Sequence, residues 1–160
     1  MERGISRHVV RFVHLNGTYY ALKELPPRIA EREYRLLIEL GERAVPAVDP
    51  IGIVADRGEL ESVLITRHLD FSLPYRLILG RRMLPAPGTS IRAALAELLV
   101  RLHLAGFFWG DCSLSNTLFR RDAGSLAAYL VDAETGELHP SLSDGQRAYD
   151  LSIAEENFAG

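Results

Sequence analysis

Two largely apolar, extended runs open the chain. His8–His14 (HVVRFVH) and Thr18–Leu25 (TYYALKEL) flank Asn16-Gly17, the strongest short signal for a two-residue hairpin. The pattern predicts two strands, the second ended by Pro26-Pro27 because proline donates nothing to a ladder. From Ile29 to Leu40 the apolar period becomes helical, with Gly41 read as the C-terminal cap. Gly52–Val54 and Ser62–Thr66 read as two further strands turned through Asp56-Arg57-Gly58. Gly80–Ser90, with two prolines and two glycines, reads as a linker. Ile91–Ala105 is the clearest helix: Ile91, Ala94, Leu95, Leu98, Leu99 and Leu102 recur at i, i+3, i+4, i+7 spacing. Ser90 is its expected N-cap and Gly106 its end. Thr117–Arg120 and Ala127–Val131 predict a hairpin around Asp122-Ala123-Gly124, closed by Asp132, and a last helix is expected from Tyr149. The expectation is an α+β protein: a small antiparallel sheet with one helix in residues 1–79, a linker at 80–90, and a more helical part at 91–160.

One position breaks the helical pattern. At about 100° per residue, Ile29, Ala30, Leu36, Leu37 and Leu40 form one face, and Glu33 falls in its middle. A carboxylate there is costly unless paired. Either Glu33 sits at the stripe's edge and reaches water, or it meets a cation on the preceding strand, where Lys23 is the one available.

After the long helix comes Trp109-Gly110-Asp111-Cys112-Ser113-Leu114-Ser115-Asn116. Asp111 and Asn116, with Asp132 at the end of the next hairpin, form an oxygen-rich set suited to a hard cation such as Mg2+. A carboxylate left free of metal could position an attacking hydroxyl. The simpler alternative is that Asp111 and Asn116 only shape local turns. Cys112 invites a nucleophilic reading, but neither His103 nor His139 completes a recognisable cysteine-hydrolase pattern with it, and a small buried residue is the expectation. The five histidines have no zinc spacing.

Composition narrows the class. The 160 residues are 48% hydrophobic and 24% charged, enough for one real core. A net charge of −3 suggests neither a nucleic-acid nor a polybasic membrane partner. A single cysteine forms no internal disulfide, so a cytoplasmic location is expected. The most apolar stretch, 93–109, is interrupted by Glu97, Arg101 and His103, so no membrane span is expected.

In chain order the set is strand Lys23, helix Glu33, loop Asp111 and Asn116, then strand-terminal Asp132. That order resembles the protein-kinase-like superfamily, in its lipopolysaccharide-kinase-like and small-molecule-kinase branches. It is also similar to a bacterial domain family of unknown function related to them. The resemblance spans about Gly4 to Asp150. It implies a two-lobe kinase-like fold, ended here before the rest of the large lobe, and an ATP- and Mg2+-dependent phosphotransferase. The implied acceptor is a hydroxyl of a sugar, glycolipid or other small molecule; the alternative is a nucleotide-binding pseudokinase with a regulatory or scaffolding role. Residue by residue, it gives Lys23 to the α- and β-phosphates, Glu33 to orienting that lysine, and Asp111 to the acceptor proton. Asn116 and Asp132 go to metal, and Asp150 to bracing the catalytic loop. Arg67, His68 and Leu69 fall in a hinge, Ile65–Leu69, whose backbone would meet adenine, and Trp109 would pack beneath the loop. The departures are specific. His-Arg-Asp becomes Trp-Gly-Asp, without the arginine that anchors a phosphorylated activation loop. Asp-Phe-Gly becomes Asp132-Ala133-Glu134, where Glu134 could add a carboxylate near the metal. The glycine-rich loop is reduced to a possible remnant at Gly4-Ile5-Ser6.

Overall fold

A computed structural model describes residues 8–80 and 87–159. Gly4-Ile5-Ser6 lies outside the described residues. Strands β1 (Val10–Leu15) and β2 (Thr18–Leu25) form the expected hairpin. Asn16 and Gly17 both take positive φ, 50° and 81°, as the two central residues of a type I′ turn must. With β3 (Asp49–Val54) and β4 (Ser62–Arg67) they make a four-stranded antiparallel sheet in the order β1-β2-β4-β3. Helix α1 (Pro27–Glu42) packs on this sheet through Ala30, Leu36, Leu37 and Leu40.

Helix α1 is longer at both ends than its apolar period indicated. Pro27 occupies the first turn, where its missing N–H costs nothing. Gly41 is not the cap. The helix continues past it and ends in a Schellman arrangement. Ala44 stands in the left-handed region at φ 54°, its N–H donates to Gly41 O at 3.0 Å, and Val45 N–H donates to Leu40 O at 3.0 Å.

Beyond β4 the chain forms a two-residue strand β5 (Leu73–Pro74) and a short helix α2 (Tyr75–Gly80). Helix α3 spans Pro87–Leu104, so the expected linker contributes a helical turn and Ser90 lies inside the helix rather than capping it. Gly106 ends α3 as expected, at φ 82°, packed so closely that a Cβ would lie 2.1 Å from His139 O. Strand β6 (Phe107–Phe108) pairs with β9 (Glu137–Leu138), a contact the sequence pattern did not indicate. A 3₁₀ turn (Leu114–Asn116) leads into the hairpin β7 (Thr117–Asp122) and β8 (Ser125–Leu130), with β5 added beside β7. Helix α4 covers Asp144–Ala159 and starts well before Tyr149.

One apolar core runs through the whole assembly, from Leu25 and Leu40 past Leu64 to Leu98, Leu102, Phe107, Trp109 and Leu130. The sheet and the β7–β8 hairpin are joined directly. Leu130 N–H donates to Pro46 O and Val48 N–H donates to Leu130 O, both at 3.0 Å. No helix among the described residues is long and apolar enough to cross a membrane.

Candidate active site

Lys23 reaches the site from the middle of β2, paired across the sheet with Val10 and Leu64. Its ammonium lies 3.2 Å from Glu33 Oε2, 3.0 Å from Asp132 Oδ2 and 3.6 Å from Glu134 Oε2. Glu33 is 1% exposed, so its place on the apolar face of α1 is that of a buried, paired carboxylate and not of an edge residue reaching water. Its Oε1 also accepts the Ala133 N–H at 3.2 Å. Burial and the neighbouring Asp132 push the Glu33 carboxyl up to about 7, against the pull of Lys23 and the Ala133 N–H. Burial works against the Lys23 ammonium, but Glu33 and Asp132 outweigh it and hold the amine above its ordinary range. One ammonium thus serves several acids, and its shortest contact is with Asp132.

Asp132 stands just after β8. Its Oδ1 accepts the Glu134 N–H at 2.9 Å, which fixes the carboxylate's rotation. Glu134 meets His8 Nε2 at 3.0 Å through its other oxygen. Carboxylate oxygens of Glu33, Asp132 and Glu134 lie within 4.8 Å of one another. The Lys23 ammonium stands among these three and takes up Glu33, which leaves Asp132 and Glu134 as the hard, anionic oxygens that suit Mg2+.

Asp111 and Asn116 sit at the two ends of the loop before β7. Asn116 Nδ2 donates to Asp111 Oδ2 at 3.3 Å, and Asn116 O accepts the Val131 N–H at 3.0 Å. The second bond brings Asn116 beside the residue that precedes Asp132. Gly110 takes φ 76°, a conformation costly for any side chain, and a Cβ there would press on Thr135 O at 3.3 Å. This is the physical reason a glycine precedes Asp111.

Asp150 is fully buried at the base of this loop. It accepts the Trp109 N–H at 3.0 Å, the Gly110 N–H at 2.8 Å and His103 Nε2 at 2.9 Å. Trp109 is itself fully buried, with Thr135 Oγ1 donating to its carbonyl at 2.9 Å. Asn157 on α4 donates to Cys112 O at 3.1 Å, so α4 holds the loop at a second point. Cys112 is buried, and burial, then Asp150 and Asp111, push its thiol up to about 12; it is not an activated nucleophile.

In the expected hinge, Arg67 pairs with Tyr20 on one side and Asp49 on the other. His68 N–H donates to Tyr19 O at 2.8 Å and its ring packs edge-on against Phe12. Leu69 O accepts from Ser72 Oγ at 2.6 Å. A cavity of about 490 Å3 opens among Phe71, Leu73, Ile78, Phe119 and Leu126, and its lining contains none of the charged cluster.

Lys23 is thus in direct contact with both Glu33 and Asp132, and Asp111 and Asn116 share one loop that Asp150 of α4 braces. Several contributors gave no sequence signal. Arg32 reads as a solvent-facing charge, His103 as part of a helix face, His8 and Asn157 as unremarkable polar residues. The adjacency of Arg32 to Glu33 was the single available hint.

Comparison with known proteins adds one positive result. The family model described as Lipopolysaccharide kinase (Kdo/WaaP) family matches residues 10–152, a span that runs from before Lys23 to beyond Asp150. No curated protein matches the chain.

Proposed function

The chain belongs to the lipopolysaccharide kinase (Kdo/WaaP) family, and from that premise we propose that it transfers the γ-phosphate of ATP to a hydroxyl of a sugar, glycolipid or other small molecule. The observation that carries the proposal is the Lys23 ammonium held between Glu33 and Asp132 at 3.2 and 3.0 Å, with Asn116 joined by backbone to the residue before Asp132. Glu33 fixes the direction of the lysine, which binds the α- and β-phosphates. Asn116 and Asp132 would hold Mg2+, with Glu134 available beside them; the ion supplies charge neutralisation on the phosphoryl oxygens. Asp111 is oriented by Asn116 and accepts the proton of the acceptor hydroxyl as its oxygen bonds to phosphorus. The bond from phosphorus to the β-phosphate bridging oxygen breaks in the same displacement, and ADP leaves. Backbone groups of the Ile65–Leu69 hinge, other than His68 N–H and Leu69 O, which are already paired, would meet adenine.

A second reading, a nucleotide-binding pseudokinase, is favoured by Glu134, whose carboxylate stands 3.6 Å from the lysine meant for phosphate. Incubation with γ-labelled ATP, Mg2+ and candidate sugar or glycolipid acceptors separates the two. The kinase reading expects label transfer that Asp111→Asn lowers by about 10²–10⁴-fold, the usual worth of a positioned acid–base group. Transfer by the native chain no greater than by Asp111→Asn overturns it in favour of the pseudokinase.

A further inference from the structure

The segment that follows Asp132 is short. Only Ala133-Glu134-Thr135-Gly136 separates it from β9. Two consecutive residues of α1 grip this segment from one side. Glu33 accepts the Ala133 N–H at 3.2 Å. Arg32 reaches from the neighbouring position and donates through Nη1 to Glu134 O at 2.5 Å and through Nη2 to Gly136 O. The forked guanidinium suits two carbonyls on one strand of chain; an ammonium presents no such fork. The far side is closed as well. Gly136 lies against the Phe107 ring, where a Cβ would fall 2.0 Å from Cζ, and Thr135 Oγ1 donates to Trp109 O.

We infer that Arg32 is a positioning residue: with Glu33 it latches residues 133–136 onto α1 and so holds Asp132 in place without any phosphorylated residue. The functional half rests on the reading of Asp132 as a metal-holding group. The latch gives a physical reason for the missing arginine before Asp111. In this chain the cation that orders the segment comes from α1 and binds backbone carbonyls, and it is present in every molecule. The Arg32 guanidinium bonds the carbonyls of Glu134 and Gly136, and so acts on Asp132 through the backbone of the segment.

The test uses the full chain with Arg32→Ala and Arg32→Lys. Both changes are at an exposed helix position, so folding is retained. Amide hydrogen exchange of the 133–136 segment is read against that of α3 in the same molecule. The latch predicts exchange at least about tenfold faster in Arg32→Ala, an intermediate value in Arg32→Lys, and α3 unchanged. It further predicts that the Mg2+ concentration needed for half-maximal ATP binding, followed by the emission of Trp109, the only tryptophan, rises by about tenfold, as expected for a partner that orients a metal-holding group. Unchanged exchange at 133–136 overturns the latch. Faster exchange with unchanged Mg2+ dependence overturns the positioning role. Faster exchange in a chain whose native form binds no Mg-ATP supports the latch and overturns only the nucleotide reading.

Discussion

At the scale of single residues, Glu33 carries the most chemical information. Its carboxyl is raised from 4.5 to about 7 by burial and by Asp132. Between those two values the folded chain keeps a proton that the unfolded chain has released. The stabilising contribution is therefore complete below about pH 4.5 and is lost as pH rises through 7. Urea unfolding of the native chain and Glu33→Gln at pH 5 and pH 8 measures this. The native chain should lose stability relative to the glutamine variant on going to pH 8. A gap that is the same at both pH values contradicts the assignment. The sequence made Glu33 conspicuous because a charge on an apolar stripe has few explanations, but it left open whether the carboxylate reaches water or meets Lys23, the one cation on the preceding strand. His103 could not be found the same way. It lies on α3, 47 positions before the aspartate it bonds, and nothing local sets it apart.

At the scale of elements, the sequence was most legible where one physical signal dominates. Asn16-Gly17 fixed the first hairpin, and the leucine period fixed α3. The ends of elements were read less well, because helix caps depend on backbone geometry that several residues can adopt. Gly41 looked like the cap of α1, yet Ala44 holds the left-handed position and Gly41 is one of its hydrogen-bond acceptors. An alanine there is strained by about 1 kcal/mol relative to glycine. Ala44→Gly should accordingly raise stability by about 0.5–1 kcal/mol and the melting temperature by about 1–4 °C. A calorimetric scan that finds the variant less stable would show the cap to be held some other way. The pairing of β6 with β9 was invisible for a different reason. Two-residue strands have no periodicity, and this one is positioned by Gly106 and Gly136, whose missing side chains let the chains approach.

At the scale of the whole molecule, the α+β class was legible because the apolar period switches between strand and helix along the chain, and the order Lys23, Glu33, Asp111, Asn116, Asp132 stood out because each residue type answers a need of the proposed phosphoryl transfer. The sequence could not show how the pieces are held together. That depends on contacts between distant segments: Leu130 with Pro46 and Val48, Asp150 with His103 and Gly110, and Arg32 with the segment after Asp132. These join the sheet, the helices and the loop around one charged cluster. If that cluster binds Mg-ATP through Lys23, nucleotide must stabilise the fold, by about 2.7 kcal/mol at a hundredfold excess over its dissociation constant. For a chain of this length that is a rise of about 5–10 °C in melting temperature. The decisive measurement is the melting temperature with and without Mg-ATP, for the native chain and for Lys23→Ala, each against its own nucleotide-free value. A rise in the native chain that is lost in Lys23→Ala is the predicted result; no rise, or an equal rise in both, would contradict a nucleotide site built on Lys23.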